Sequence, residues 1–97
     1  MKELNRQAVL GAFSDEAGRL PDGIDPETID VVGKAEDCLR LLIATGISFS
    51  RPTDDEVAAD GGTGREPVVE KVRGDDVLAA ARIAAARVAA SFVEHSR

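Results

Sequence analysis

The sequence predicts a mostly α fold: a small three-helix bundle, with a long irregular segment between the second and third helices that has room for a short β-hairpin. Two stretches carry this expectation. Residues Gly74 to Arg97, GDDVLAAARIAAARVAASFVEHSR, are rich in Ala, the strongest helix former. Residues Asp25 to Gly46 open with a helix-start signature and close on a glycine suited to a left-handed cap. No internal repeat and no linker divides the 97 residues, so a single helical domain over 1–97 is expected.

Taken in order, the first helix is expected from about Lys2 to Gly18, with Val9, Leu10, Phe13 and Ala17 on one face. Gly11 weakens that helix by roughly 0.5–1 kcal/mol relative to Ala, or else lets a neighbouring helix approach closely. Gly18 is the expected left-handed C-cap. Arg19 to Ile24, RLPDGI, reads as a turn, because Pro21 disfavours helix at Leu20 and Asp22-Gly23 is a common turn pair. The second helix then starts with Asp25 as cap, Pro26 as first helical residue and Glu27 in the first turn, and runs to Thr45. Ile29, Val32, Leu39 and Ile43 form its apolar stripe, widened by Val31, Ala35, Cys38 and Leu42. Asp30, Lys34, Asp37 and Arg40 take the opposite side, with Leu41 stranded among them and exposed. Glu36 can pair with Arg40 four residues on.

Ile47 to Arg51 alternates apolar and polar residues, a short strand signal. Thr53-Asp54-Asp55-Glu56 fits a capping box and suggests one helical turn through Val57-Ala58-Ala59. Asp60 to Pro67, DGGTGREP, reads as the most flexible segment. Val68 to Arg73 is a second possible strand, able to pair with ISFS. The last helix follows Gly74, capped by Asp75 or Asp76. At 100° per residue Val77, Leu78, Ala81, Ala85, Val88 and Phe92 share one face, while Ile83, Ala86, Ala90 and Val93 share nearly the opposite one. A helix apolar on two sides is packed on two sides. In so short a chain the second cover is expected from another molecule.

Composition bounds the function. The chain is 43% hydrophobic but only 3% aromatic, so its core is thin, which favours association. A net charge of −6 with a pI near 4.7 argues against direct binding of nucleic acid or anionic membrane. Asp22 to Asp37 holds six acids and one Lys, and Asp54 to Asp60 holds four acids and no base. The lone Cys38 excludes an internal disulfide and suggests a cytoplasmic setting. The opening MKELNRQAVLGAF lacks the apolar run of a signal peptide, and no run approaches the roughly 20 residues of a membrane span.

No motif points to catalysis. GGTGR lacks the Lys-Ser/Thr pair of a phosphate loop, and Pro67 stands where the helix should begin. His95 sits near the chain end with no assignable partner. Cys38 falls among apolar positions and reads as core. Asp54, Asp55, Glu56 and Asp60 lack the alternation of a calcium loop. No catalytic residue, cofactor or metal ligand is therefore expected, and the chain reads as no enzyme.

The expected function is a small regulatory or protein-interaction protein acting as a helical homodimer, with Ile83, Ala86, Ala90, Val93 and Leu41 as the partner-binding residues. One alternative is an acidic decoy that occupies the basic groove of a nucleic-acid-binding protein, and a second is an accessory subunit of an enzyme complex. The layout of a leading amphipathic segment, a Leu-Pro turn and two long helices is similar to that of small bacterial antiactivators of quorum-sensing regulators. That likeness rests on no motif and carries no residue across.

Overall fold

A computed structural model describes residues 1–62 and 66–95, the last two by backbone alone. The elements are α1 (Lys2–Phe13), α2 (Ala35–Thr45), β1 (Ser48–Ser50), β2 (Glu56–Asp60), β3 (Val68–Lys71) and α3 (Val77–His95). The three strands form one antiparallel sheet in the order β1-β2-β3. The architecture is thus a mixed α and β fold, and the expected three-helix bundle is overturned by this sheet.

The sheet arises where a helical turn was expected. Thr53, Asp54, Asp55 and Glu56 do not start a helix. Thr53 Oγ1 donates to the Asp55 carboxylate at 2.6 Å and lies 2.9 Å from that of Glu56. Arg51 folds back, its guanidinium donating to the carbonyls of Glu56 and Asp54. These bonds close a tight connection between β1 and β2, and Glu56 to Asp60 continues as the central strand. Val57, Ala58 and Ala59 are all buried there. Phe49 pairs with Ala59, and Val57 with Glu70. The two segments read as strands are strands, but each pairs with β2 and not with the other.

The helix expected to open at Pro26, with Asp25 as its cap, begins nine residues late, at Ala35. Residues 25–34 form two successive turns instead, and the reason lies in what bonds their backbone. Asn5 of α1 donates through Nδ2 to the carbonyls of Ile29 (2.7 Å) and Pro26 (3.2 Å). Its Oδ1 accepts the Val31 N–H at 2.7 Å. Asp37 accepts the Asp30 N–H at 2.9 Å, and Arg82 of α3 donates to the Val32 carbonyl at 2.8 Å. Side chains from three helices thus satisfy groups that an α-helix would have paired internally. The β-branched run Thr28, Ile29, Val31 and Val32, followed by Gly33, has weak helix propensity and yields to them. Asp25 still caps, but it caps a turn, accepting the Glu27 N–H at 2.9 Å. Asp37 is buried in this network and does not lie on a solvent face.

Helix α1 is also shorter than expected, ending at Phe13 with Ser14 in extended conformation. Gly18 does adopt positive φ, but in a separate turn where Asp15 accepts the N–H groups of Ala17 and Arg19. Gly46 is the left-handed cap of α2, as its position predicts. Asp76 caps α3, accepting the Ala79 N–H at 3.0 Å.

Helix α3 is the spine. Ala80, Ala84, Ala85, Ala86, Val88 and Ala89 are all buried, so the helix is covered on two sides. One side is the sheet: Val88 and Phe92 lie against Gly61 at the end of β2, and Arg87 pairs with Glu70 of β3 at 3.3 Å. The other side is α1. A Cβ added at Gly11 would stand 1.8 Å from the Ala89 carbonyl oxygen, so the two backbones touch there. The close approach anticipated at Gly11 is therefore real, and the neighbour is α3. Residues Ala8, Val9, Ile29, Val31, Cys38, Leu41 and Ala59 join the Ala cluster of α3 in one core. Leu78, expected in that core, is 67% exposed.

Candidate interaction surface

Of the residues expected to meet a partner, Ala86 and Leu41 are fully buried inside the chain. Ile83, Ala90 and Val93 are half-buried. A Cβ added at Gly11 would stand 3.4 Å from the Val93 side chain, so α1 occupies that side of α3. Much of the second cover that the Ala-rich helix requires therefore comes from within the chain. Leu41 is a correction of the same kind. Starting α2 at Ala35 leaves Asp37, Cys38 and Leu41 as its buried residues, and the helix turns that side to the core.

What α2 presents outward is the stripe expected to be core. Leu39 is 56% exposed and Ile43, one turn on, 78%. They lie beside the ion pair of Glu36 and Arg40, which is formed as the spacing predicts, at 3.7 Å. After Gly46 and the buried Ile47 the chain enters β1, where Phe49 is 41% exposed. Of the six large apolar side chains exposed among the described residues, three (Leu39, Ile43, Phe49) thus fall within residues 39–49. The same stretch is free of acid: none of the chain's 18 Asp and Glu residues lies between Asp37 and Asp54. The signal for this surface was the isolated pair Leu39 and Ile43. It could not be assigned outward without knowing that the preceding ten residues are not helical.

Burial pushes the Cys38 thiol above its ordinary range, more than the nearby Arg82 guanidinium pulls it down, which favours the protonated thiol. The hydrogen bond from Thr53, with the Lys71 ammonium 3.6 Å away, holds the Asp55 carboxyl below its usual range. An open cleft between the end of α1 and α3 is lined by Leu10, Gly11, Ser14, Phe92 and Val93 with the turn at 15–18. There Ser14 donates to the Leu10 carbonyl and Asp15 caps its own turn. Among the described residues no three His, Cys, Asp or Glu side chains converge to hold a metal ion, and no helix is long and apolar enough to cross a membrane. Thr63, Gly64 and Arg65 of the glycine-rich segment, and the His95 side chain, lie outside the described residues. Comparison with protein-family models, curated proteins and solved structures finds no match.

Proposed function

We propose that the chain is a small protein-interaction module that acts by binding and not by catalysis, and that it binds through residues 39–49. The observation that carries this reading is the outward stripe of α2. Leu39 and Ile43 are mostly exposed on a helix whose opposite side, Cys38 and Leu41, is already buried. Covering a Leu or Ile side chain is worth about 1.5–3 kcal/mol. Two such residues are too few for a tight complex once the cost of association is counted. The adjacent strand β1, with Phe49, supplies the further contact. Regulation of a partner, or service as an accessory subunit, are forms such binding takes. The acidic-decoy reading draws less support, since Asp37 is buried and Asp55 is paired with Lys71.

The test is a comparison of binding by three proteins: wild type, the double variant Leu39→Ser with Ile43→Ser, and Leu78→Ser. Leu78 is the control because it is exposed but lies at the start of α3, outside the stretch. Chemical cross-linking in the host, read by mass spectrometry, should give adducts through 39–49 that the double variant loses and Leu78→Ser keeps. Equal cross-linking by all three would overturn the reading.

A further inference from the structure

The two free edges of the sheet differ. The β3 edge carries Glu70 and Lys71, follows Pro67, and is bound to α3 through the pair of Glu70 with Arg87. Charge and proline are the usual means by which a sheet edge is kept from pairing with another chain. The β1 edge has neither within it. Its three residues, Ser48-Phe49-Ser50, are uncharged and all exposed, and β2 is the element on which β1 chiefly rests. One side of β1 is used by the register Ser48 with Asp60, Phe49 with Ala59 and Ser50 with Ala58. Its other side is the outer edge of the sheet.

We propose that a second copy of this chain occupies that edge, the two β1 strands pairing antiparallel about a two-fold axis at Phe49 to give one six-stranded sheet. This rests on the interaction reading above and names its partner. Three observations single out a second copy. First, a two-fold axis at Phe49 sets Ser48 against the partner's Ser50, and Phe49 against the partner's Phe49, so the self-complementary contact holds no charged residue. Second, copies of a chain with net charge −6 repel, and β1 and the residues flanking it from 38 to 53 bring no acid of their own to the contact, Asp60 standing on the inner side opposite Ser48. Both arginines there are engaged within the chain, Arg40 with Glu36 and Arg51 with the carbonyls of Asp54 and Glu56. Third, main-chain pairing along an edge supplies the hydrogen bonds that an apolar stripe of two residues lacks.

The geometry makes a sharp test. Residues opposite each other in an antiparallel pair have Cα atoms about 4.5–5.5 Å apart. That falls within the roughly 4.4–6.8 Å a disulfide spans. In a full-length Cys38→Ala background, Phe49→Cys should therefore oxidise rapidly to a covalent dimer. Val69→Cys, equally exposed but on the charged edge, should stay monomeric. Sedimentation of the wild type should show a monomer–dimer equilibrium that added salt does not weaken, and that Phe49→Glu weakens at least about tenfold with the circular dichroism unchanged. A wild type that is monomeric at all concentrations, or Phe49→Cys that oxidises no faster than Val69→Cys, would overturn the proposal. So would a dimer indifferent to Phe49→Glu. If the wild type is monomeric while cross-links through Leu39 and Ile43 to another protein persist, the self-pairing fails and the interaction reading stands. Loss of both removes both.

Discussion

Helices α3 and α2 both carry apolar residues on two sides, and the fold treats them differently. On α3 the sheet covers Val88 and Phe92, while α1 covers Ala89 and Val93 through the backbone contact at Gly11. On α2 the core takes Cys38 and Leu41, and Ile43 stays mostly exposed among the described residues. The difference follows from side-chain size. The buried residues of α3 are almost all Ala, which lets a second helix come to backbone distance and leaves no room for anything else. Leu39 and Ile43 are large and would need a cavity to receive them, which α1 and the sheet, already committed to α3, do not provide. An apolar pattern thus shows that a residue requires cover; the volumes of its neighbours decide whether the cover comes from the same chain.

Substitutions on these two helices and on α1 test this contrast. The largest effect is expected at Ala86, which is fully buried. Ala86→Glu places an unpaired carboxylate in the core, and a loss of about 3–5 kcal/mol, enough to unfold a small domain, is expected. Loss of helical circular dichroism would show it. A folded, merely dissociated Ala86→Glu protein would restore a contact surface on α3. Next is Gly11→Ala. Relative helix propensity alone would stabilise α1 by about 0.5–1 kcal/mol. The added Cβ collides with the Ala89 carbonyl, whose backbone cannot step aside, and overpacking of that kind costs about 1–3 kcal/mol or more. Urea unfolding should therefore show a net loss, and a gain would mean that the helices are not in contact there.

Asn5→Ala is expected to be of similar or somewhat smaller size, about 1–3 kcal/mol, since it leaves the buried Val31 N–H and Ile29 carbonyl without their partner. Thermal melting measures it, and an unchanged midpoint would mean that residues 25–34 hold their turns without α1. The smallest effect concerns the inner side of α2. The Cys38 thiol is raised by burial, so the folded state holds its proton more tightly than the unfolded chain. Its contribution is complete below the unfolded thiol's pKa and declines as pH rises from there through the folded value. Stability of the wild type should thus fall more steeply in alkali than that of Cys38→Ala, and parallel pH curves would place the thiol in solvent.

The parts of the fold legible in the sequence are those decided within a few residues. Gly46 ends α2, Asp76 starts α3, and Glu36 finds Arg40, because each depends on neighbours no more than four positions away. Ile47–Arg51 and Val68–Arg73 declare themselves extended by alternation and β-branching. Residues 25–34 could not be read in the same way. Asp25-Pro26-Glu27 serves a turn as well as a helix, and the choice is made by Asn5, 24 residues from Ile29, and by Arg82, 50 residues from Val32. The strand β2 was hidden for a related reason. Its Val57-Ala58-Ala59 is neutral between helix and strand, and only the flanking β1 and β3 make the extended form the better buried one. The error at residues 25–34 carried through to the surface. A helix begun at Asp25 draws Leu39 and Ile43 into one stripe with Ile29 and Val32, and so turns the outward side of α2 into its core.

The most direct test of which side of α2 is spoken for is a paired unfolding measurement on its two leucine-bearing sides. Leu41→Ala removes a side chain with no exposed surface, and a loss of about 2–5 kcal/mol is expected in urea titration. Leu39→Ala together with Ile43→Ala should change the unfolding free energy of the monomer by no more than about 0.5 kcal/mol, measured at high dilution. A large loss from the outer pair with little from Leu41 would contradict the assignment and return Leu39 and Ile43 to the core.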